Sequence, residues 1–220
     1  MSNPVDLRLY LVTDRQLAGP RGVAETVARA VLGGVTVVQV RSPEAKGRSF
    51  VEEARAVKAI LKPLNIPLII NDRIDVALAV DADGVHVGQS DIDARQVRAM
   101  IGPTKILGLS VGTEAERQAS REALAVVDYI GVGAIFATAT KPDVGPAVGL
   151  ASIGLISERT GLPVVAIGGI GLSNAADCIA AGADGVAVVS AIMAAPDPTA
   201  AALELGRSID AALQRRKARS

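Results

Sequence analysis

Short apolar runs rich in Val and Ile alternate along the chain with longer segments in which apolar residues recur at helical spacing, and the alternation covers nearly all 220 residues. The short runs predict eight strands, at residues 8–13, 35–40, 67–70, 84–87, 106–110, 129–132, 164–167 and 185–189. The longer segments predict helices at residues 22–32, 49–61, 74–79, 92–101, 114–124, 150–159, 173–181 and 198–216. The strands show no polar alternation, so both of their faces are buried, as in a parallel sheet covered by helices. Eight such units with no Pro/Gly/Ser-rich linker, and no G-x-G-x-x-G fingerprint after the first strand, predict a closed (β/α)8 barrel in place of an open doubly wound sheet. An internal echo supports closure: Ala82-Asp-Gly-Val-His-Val-Gly88 returns as Ala183-Asp-Gly-Val-Ala-Val-Val189, four units later. Residues 1–220 are read as one barrel domain, with the basic run at 215–220 a frayed helix end favoured by the helix dipole.

Composition removes several kinds of function. Lys plus Arg and Asp plus Glu number 23 each, so no basic field exists to hold nucleic acid or an anionic membrane. The aromatic residues are Tyr10, Phe50, Tyr129 and Phe136, too few for stacking platforms. Cys178 is the only cysteine and reads as a buried structural thiol. With His86 as the only histidine, zinc sites built on two imidazoles are excluded, and a divalent metal would be held by oxygen, which favours Mg²⁺. The N-terminus has no signal-like pattern, and no apolar run approaches the roughly 20 residues of a membrane span. The chain is therefore expected to be soluble and cytoplasmic, acting on small molecules without nucleic-acid or membrane partners. Assembly into a homo-oligomer is compatible with such a chain.

In a barrel of this kind, chemistry gathers where strands run into the following loops. Asn71 and Asp72 leave the third strand, while Gln89 and Asp91 leave the fourth, and neighbouring strands lie about 4.8 Å apart. Either aspartate alone could cap a helix. Together they suit an octahedral Mg²⁺ site whose remaining ligands are substrate oxygens, above all phosphate. Across the barrel, the turns at Gly168-Gly169 and at Val189-Ser190 offer backbone N–H groups to a second phosphate. The loop after the sixth strand, residues 133–146, has the length of a lid and carries Thr138, Thr140 and Lys141, suited to phosphate oxygens. Gln39 and Arg41 alternate on the second strand and point the same way, and Arg41 can grip a phosphate with two N–H donors. Ser110 ends the fifth strand. His86 lies inside the fourth and reads as a hydrogen-bonded lumen residue before a proton shuttle, and Asp83 and Asp184 read as turn residues. Two phosphate sites with a carboxylate-bound metal at one of them suit departure of pyrophosphate by ionisation, which needs no strong general base.

At the residue level the chain resembles the thiamine phosphate synthase family. The blocks that carry the resemblance are "LYLVTD", "QVR", "NDR", "ADGVHVGQSD", "LGLS", "TATK", "AIGGI" and "ADGVAVVSAI", in order, from about Leu9 to Ile192. The resemblance implies a transferase in which a pyrimidine pyrophosphate ionises with Mg²⁺ assistance. The nitrogen of a thiazole phosphate then captures the pyrimidinylmethyl cation, giving thiamine phosphate and pyrophosphate. It further implies Asp72 and Asp91 as metal ligands, Gln39, Arg41, Asn71 and Lys141 around the pyrimidine pyrophosphate, and Ser110 near the reacting centre. Arg41, Ser110 and Lys141 are the catalytic candidates, and Thr138, Thr140, Gly169, Val189 and Ser190 would hold the thiazole phosphate. Two departures stand out. The family continues Arg41 with an acidic residue and a lysine where this chain has Ser42-Pro43, and its Ser-x-His-Thr block reads Ser110-Val-Gly112-Thr113 here. Competing readings are a thiazole tautomerase, disfavoured by Gly112 and by the intact aspartate pair, a non-catalytic thiamine-phosphate-binding protein, motivated by the missing lysine, and a phosphate-handling barrel enzyme of amino-acid biosynthesis.

Overall fold

A computed structural model describes residues 5–138, 140 and 145–218. Its eight strands are β1 (Leu9–Val12), β2 (Val37–Val40), β3 (Leu68–Asn71), β4 (Gly84–Val87), β5 (Ile106–Ser110), β6 (Tyr129–Val132), β7 (Val164–Ile167) and β8 (Gly185–Val188). Each pairs in parallel with the next, and β8 pairs with β1 through Leu9 and Val186, so the sheet closes into the expected barrel. The helices are α1 (Arg15–Ala18), α2 (Val23–Leu32), α3 (Gly47–Leu61), α4 (Ile74–Val80), α5 (Ala94–Ile101), α6 (Glu114–Ala119), α7 (Ala151–Thr160), α8 (Ala175–Ala180), α9 (Ser190–Met193) and α10 (Pro198–Lys217).

Beyond shifts of one or two residues at several ends, the helices differ from the pattern in three respects. α1 and α9 have four residues each, barely one turn, and so carry no readable period. The helix expected over 114–124 ends at Ala119, with a 3-10 turn at Ala123–Val126. Ser120 is buried there and its hydroxyl is held by the Gln89 amide at 3.0 Å, a contact made from another loop. α10 runs to Lys217, so Arg215 and Arg216, expected in a frayed end, are helical, and the Arg216 guanidinium donates to Ala183 O and Asp184.

Two apolar layers hold the barrel. The larger lies between strands and helices, joining Leu11, Val38, Ile70 and Ile130 to Val27, Phe50, Val97, Ile153 and Ile209. Cys178 sits in it, and burial, with Asp177 adding, pushes its thiol up to about 11. The smaller fills the lumen with Leu7, Tyr10, Val12, Val37, Ile69, Tyr129, Val165 and Ala187, as inward-pointing alternate residues should.

At the opposite end from the site, one device recurs around the ring. Thr36, Asp83, Asp128 and Asp184 stand one residue ahead of β2, β4, β6 and β8. Each side chain accepts an N–H at the start of the preceding strand, from Leu9 (3.2 Å), Leu68 (2.8 Å), Leu107 (2.8 Å) and Val164 (2.9 Å). The glycine that follows Asp83 and Asp184 is required by crowding: a Cβ on Gly84 would lie 2.4 Å from Ile106 O, and one on Gly185 1.8 Å from Leu7 O. This explains the Asp-Gly echo of the sequence, and both aspartates are turn residues as expected.

Candidate active site

The loops at the C-terminal ends of the strands enclose a cavity of about 590 Å³. Gln39, Arg41, Asn71, Asp72, Asp91, Ser110, Thr138, Thr140, Gly169, Val189 and Ser190 all line it. Lys141 lies outside the described residues. Residues from seven strand ends, far apart in sequence, thus meet in one volume because closure turns every strand's C-terminal end the same way.

Asp72 follows β3 with φ of 59°, a left-handed conformation that a short polar side chain tolerates. Its N–H bonds His86 O (2.9 Å), tying it to β4, and its Oδ2 accepts from the Asn71 amide at 2.6 Å. Asp91 is exposed to the cavity, and its Oδ2 accepts the Gly88 N–H at 2.7 Å. Both carboxylates are steadied by neutral N–H donors beside the strand ends that carry them. An oxygen-only donor set of two carboxylates fits a hard cation that takes its other ligands from substrate and water. Among the described residues no group of three or more His, Cys, Asp or Glu could hold a metal, so a site supplied entirely by such side chains does not form. Asp75 takes no part: the Arg73 guanidinium beside it (2.6 Å) holds its carboxyl below the usual range.

At the turn expected to bind phosphate, Gly168 and Gly169 have φ of 99° and 65°. A Cβ on Gly168 would lie 2.5 Å from Ala134 Cβ, and one on Gly169 would lie 2.7 Å from Ala137 O. The glycine pair therefore also lets the loop after β6 press onto the turn, where Ile135 and Phe136 donate N–H bonds to Ile167 O (2.9 Å) and Gly168 O (3.1 Å). On that loop the Thr138 hydroxyl accepts the Thr140 N–H at 3.2 Å. α9 begins at Ser190, next to the turn.

The two departures from the family pattern acquire a local setting. Pro43 lines the cavity, while Ser42 is buried and donates to Glu53 Oε1 (2.8 Å), whose other oxygen pairs with Arg15 (2.9 Å). Glu53 thus receives the loop after β2, a role the sequence reading missed. At Gly112 a Cβ would lie 2.8 Å from Gly133 O, so no side chain fits there without movement. The Gly112 N–H instead bonds Glu116 Oε2 (2.6 Å), the same oxygen that closes a capping box with Thr113 at the start of α6.

The cavity floor holds the residues that sequence reasoning overlooked. Tyr10 and Tyr129 are 1% and 2% exposed, and their hydroxyls lie 2.8 Å apart. His86 bonds Tyr129 Oη through Nδ1 and Ser110 Oγ through Nε2, both at 2.9 Å, which makes it the hydrogen-bonded lumen histidine that was expected. A signal was available for the tyrosines: the chain has only two, both sit at strand positions, and a buried phenol needs a partner.

A family model described as thiamine monophosphate synthase matches residues 9–192. The thiamine-phosphate synthase of Xanthobacter autotrophicus is 57% identical over 212 residues, covering 96% of this chain and 100% of the relative. That of Azorhizobium caulinodans is 54% identical over 210 residues, covering 96% and 98%. A solved structure of thiamine phosphate pyrophosphorylase from Pyrococcus furiosus aligns with a TM-score of 0.85 at 36% identity, over 96% of this chain and 98% of that one.

Proposed function

The chain belongs to the thiamine monophosphate synthase family, and on that premise we propose that it joins 4-amino-2-methyl-5-hydroxymethylpyrimidine pyrophosphate to hydroxyethylthiazole phosphate, giving thiamine phosphate and pyrophosphate. The observation that carries the proposal is the convergence of the pyrophosphate candidates, the aspartate pair and the phosphate corner on one cavity. Gln39, Arg41, Asn71 and Ser110 bind the pyrimidine half, with Lys141 joining Arg41 on its pyrophosphate. Thr138, Thr140 and the backbone at Gly169, Val189 and Ser190 bind the thiazole phosphate. Arg41 meets the leaving group as charge develops on it, which lowers the barrel's demand for a general base. Asp72 and Asp91 would hold a magnesium ion, which would supply further neutralisation of that charge. Val12, Val165 and Ile167 give the cavity wall an apolar side facing the reacting centre.

This reading places a single-domain, cytoplasmic enzyme in the cell. Among the described residues no helix is long and apolar enough to cross a membrane. A binding protein without turnover is the rival that Pro43 motivates. Thiamine phosphate and pyrophosphate are measured from the two phosphorylated halves with Mg²⁺, with EDTA, and with Asp91→Ala. We expect coupled formation of both products, abolished by EDTA and reduced at least about 100-fold by the substitution, in line with loss of a charge-stabilising group. Retained binding of thiazole phosphate without any product would reject the enzyme in favour of the binder.

A further inference from the structure

The proposed reaction leaves Tyr10, Tyr129 and His86 without a part, yet they join two of its substrate contacts. An unbroken file of hydrogen bonds runs through the lumen from Gln39 to Ser110. Gln39 Nε2 donates to Tyr10 Oη (2.8 Å), Tyr10 Oη meets Tyr129 Oη (2.8 Å), Tyr129 Oη meets His86 Nδ1 (2.9 Å), and His86 Nε2 meets Ser110 Oγ (2.9 Å). All five residues line the cavity, and all but Ser110 are buried. Room for the rings is made by glycine: a Cβ on Gly108 would lie 2.2 Å from Tyr129 Cζ and 2.4 Å from His86 Nδ1, and one on Gly131 would lie 3.0 Å from His86 Cε1.

Counting protons along the file gives it a direction. Burial pushes both phenols well above their ordinary range, so each keeps its single O–H proton. Gln39 spends an N–H on Tyr10, so the Tyr10 proton points to Tyr129 and the Tyr129 proton to His86 Nδ1. With the Gln39 N–H on Tyr10, any other arrangement strands a buried O–H without an acceptor, whereas no buried side-chain nitrogen or oxygen among the described residues lacks a partner. An imidazole with one proton and an accepting Nδ1 carries that proton on Nε2. His86 therefore donates to Ser110, whose own proton is left for a ligand, and the Gln39 amide keeps its oxygen for the same purpose. Reversal of either end requires reversal of both, with a half-turn of the amide and the imidazole proton moved from Nε2 to Nδ1.

We propose that Tyr10, Tyr129 and His86 are positioning residues that tie the polarity of Ser110 to that of Gln39, so that the cavity offers one hydroxyl donor and one amide acceptor to an aminopyrimidine, whose ring nitrogen accepts and whose exocyclic amino group donates. This rests on the reading of Gln39 and Ser110 as contacts to the pyrimidine half. A 4-oxo pyrimidine presents the reverse pattern, a ring N–H beside a carbonyl, and is refused by the relay as it stands.

Because His86 is the only histidine, ¹⁵N NMR of the full-length chain reads its two ring nitrogens without ambiguity. The wild type without substrate is expected to show the Nε2–H tautomer. Gln39→Glu, at pH about 9 where a carboxyl ionises and can only accept, is expected to put the proton on Nδ1, and adding Tyr129→Phe is expected to restore Nε2–H. An Nδ1–H wild type, or an unchanged Nε2–H in Gln39→Glu, overturns the relay, and the wild-type spectrum decides even if the variant does not fold. In the kinetic arm, Tyr129→Phe is expected to lower the preference in kcat/KM for 4-amino over 4-oxo pyrimidine pyrophosphate by at least about 10-fold. The thiazole phosphate KM is expected to stay within about two-fold. An equal fall for both pyrimidines overturns the positioning role. Inactivity of the wild type itself rejects the synthase reading while the NMR result still judges the relay.

Discussion

At Gly108 the strand carries no side chain because the space a Cβ needs is already taken by Tyr129 and His86, which come from β6 and β4. Gly108→Ala must push those rings aside. We expect it to destabilise the fold by about 1–3 kcal/mol, as overpacking of a filled core does, read as a lower urea midpoint at unchanged m-value. A midpoint equal to that of the wild type would show that the rings move freely. The residues at the cavity rim were legible in the sequence because a polar group directly after an apolar run has few structural reasons to be there: Asp72, Asp91 and Ser110 all line the cavity. Tyr10 and Tyr129 were not legible in that way, since a tyrosine inside an apolar run also suits a plain core. The double glycine at 168–169 was read as a phosphate turn, with a tight turn needing positive φ as the plain alternative. Its left-handed φ values fit that alternative, and the pressure of Ala134 and Ala137 supplies a packing reason that sequence alone does not contain.

At the scale of elements, the barrel is braced by side chains that stand just ahead of the even-numbered strands. The Asp83 carboxylate accepts the Leu68 N–H and its backbone N–H bonds Leu68 O, so one residue locks β3 to the start of β4. Asp83→Ala leaves the Leu68 N–H without this partner at the end of a buried strand. We expect a loss of about 1–3 kcal/mol, most of it recovered by Asn, which keeps an acceptor oxygen. Equal losses for Ala and Asn would show that charge, and not the bond, matters. Strand positions were nearly all readable, because four consecutive apolar residues between turn signals define a buried strand locally. Helix ends were less so: α6 stops at Ala119, next to a Ser120 whose hydroxyl is held by Gln89, and no property of residues 114–124 alone foretells that bond.

For the whole molecule, closure of the sheet places both tyrosines of the chain in the lumen, where burial raises both phenols. A group that prefers its proton in the fold contributes stability that is complete below its unfolded pKa of about 10 and is lost as pH rises above it. Phenolate absorbance is therefore expected to appear only together with loss of far-UV circular dichroism, above pH about 10. A phenolate signal from the folded protein at that pH would show that solvent reaches the lumen. The sequence by itself determined the number of strands, their parallel order, the barrel and the polar strand ends that meet at one rim, because apolar period, turn chemistry and strand-to-loop transitions are local properties of the chain. Only the tertiary structure decided that Gln39, Tyr10, Tyr129, His86 and Ser110 form one hydrogen-bonded file, and that no side chain fits at Gly108 or Gly112 without movement. Those facts depend on which residues of five different strands share the closed interior, a matter of register and closure that no single segment encodes.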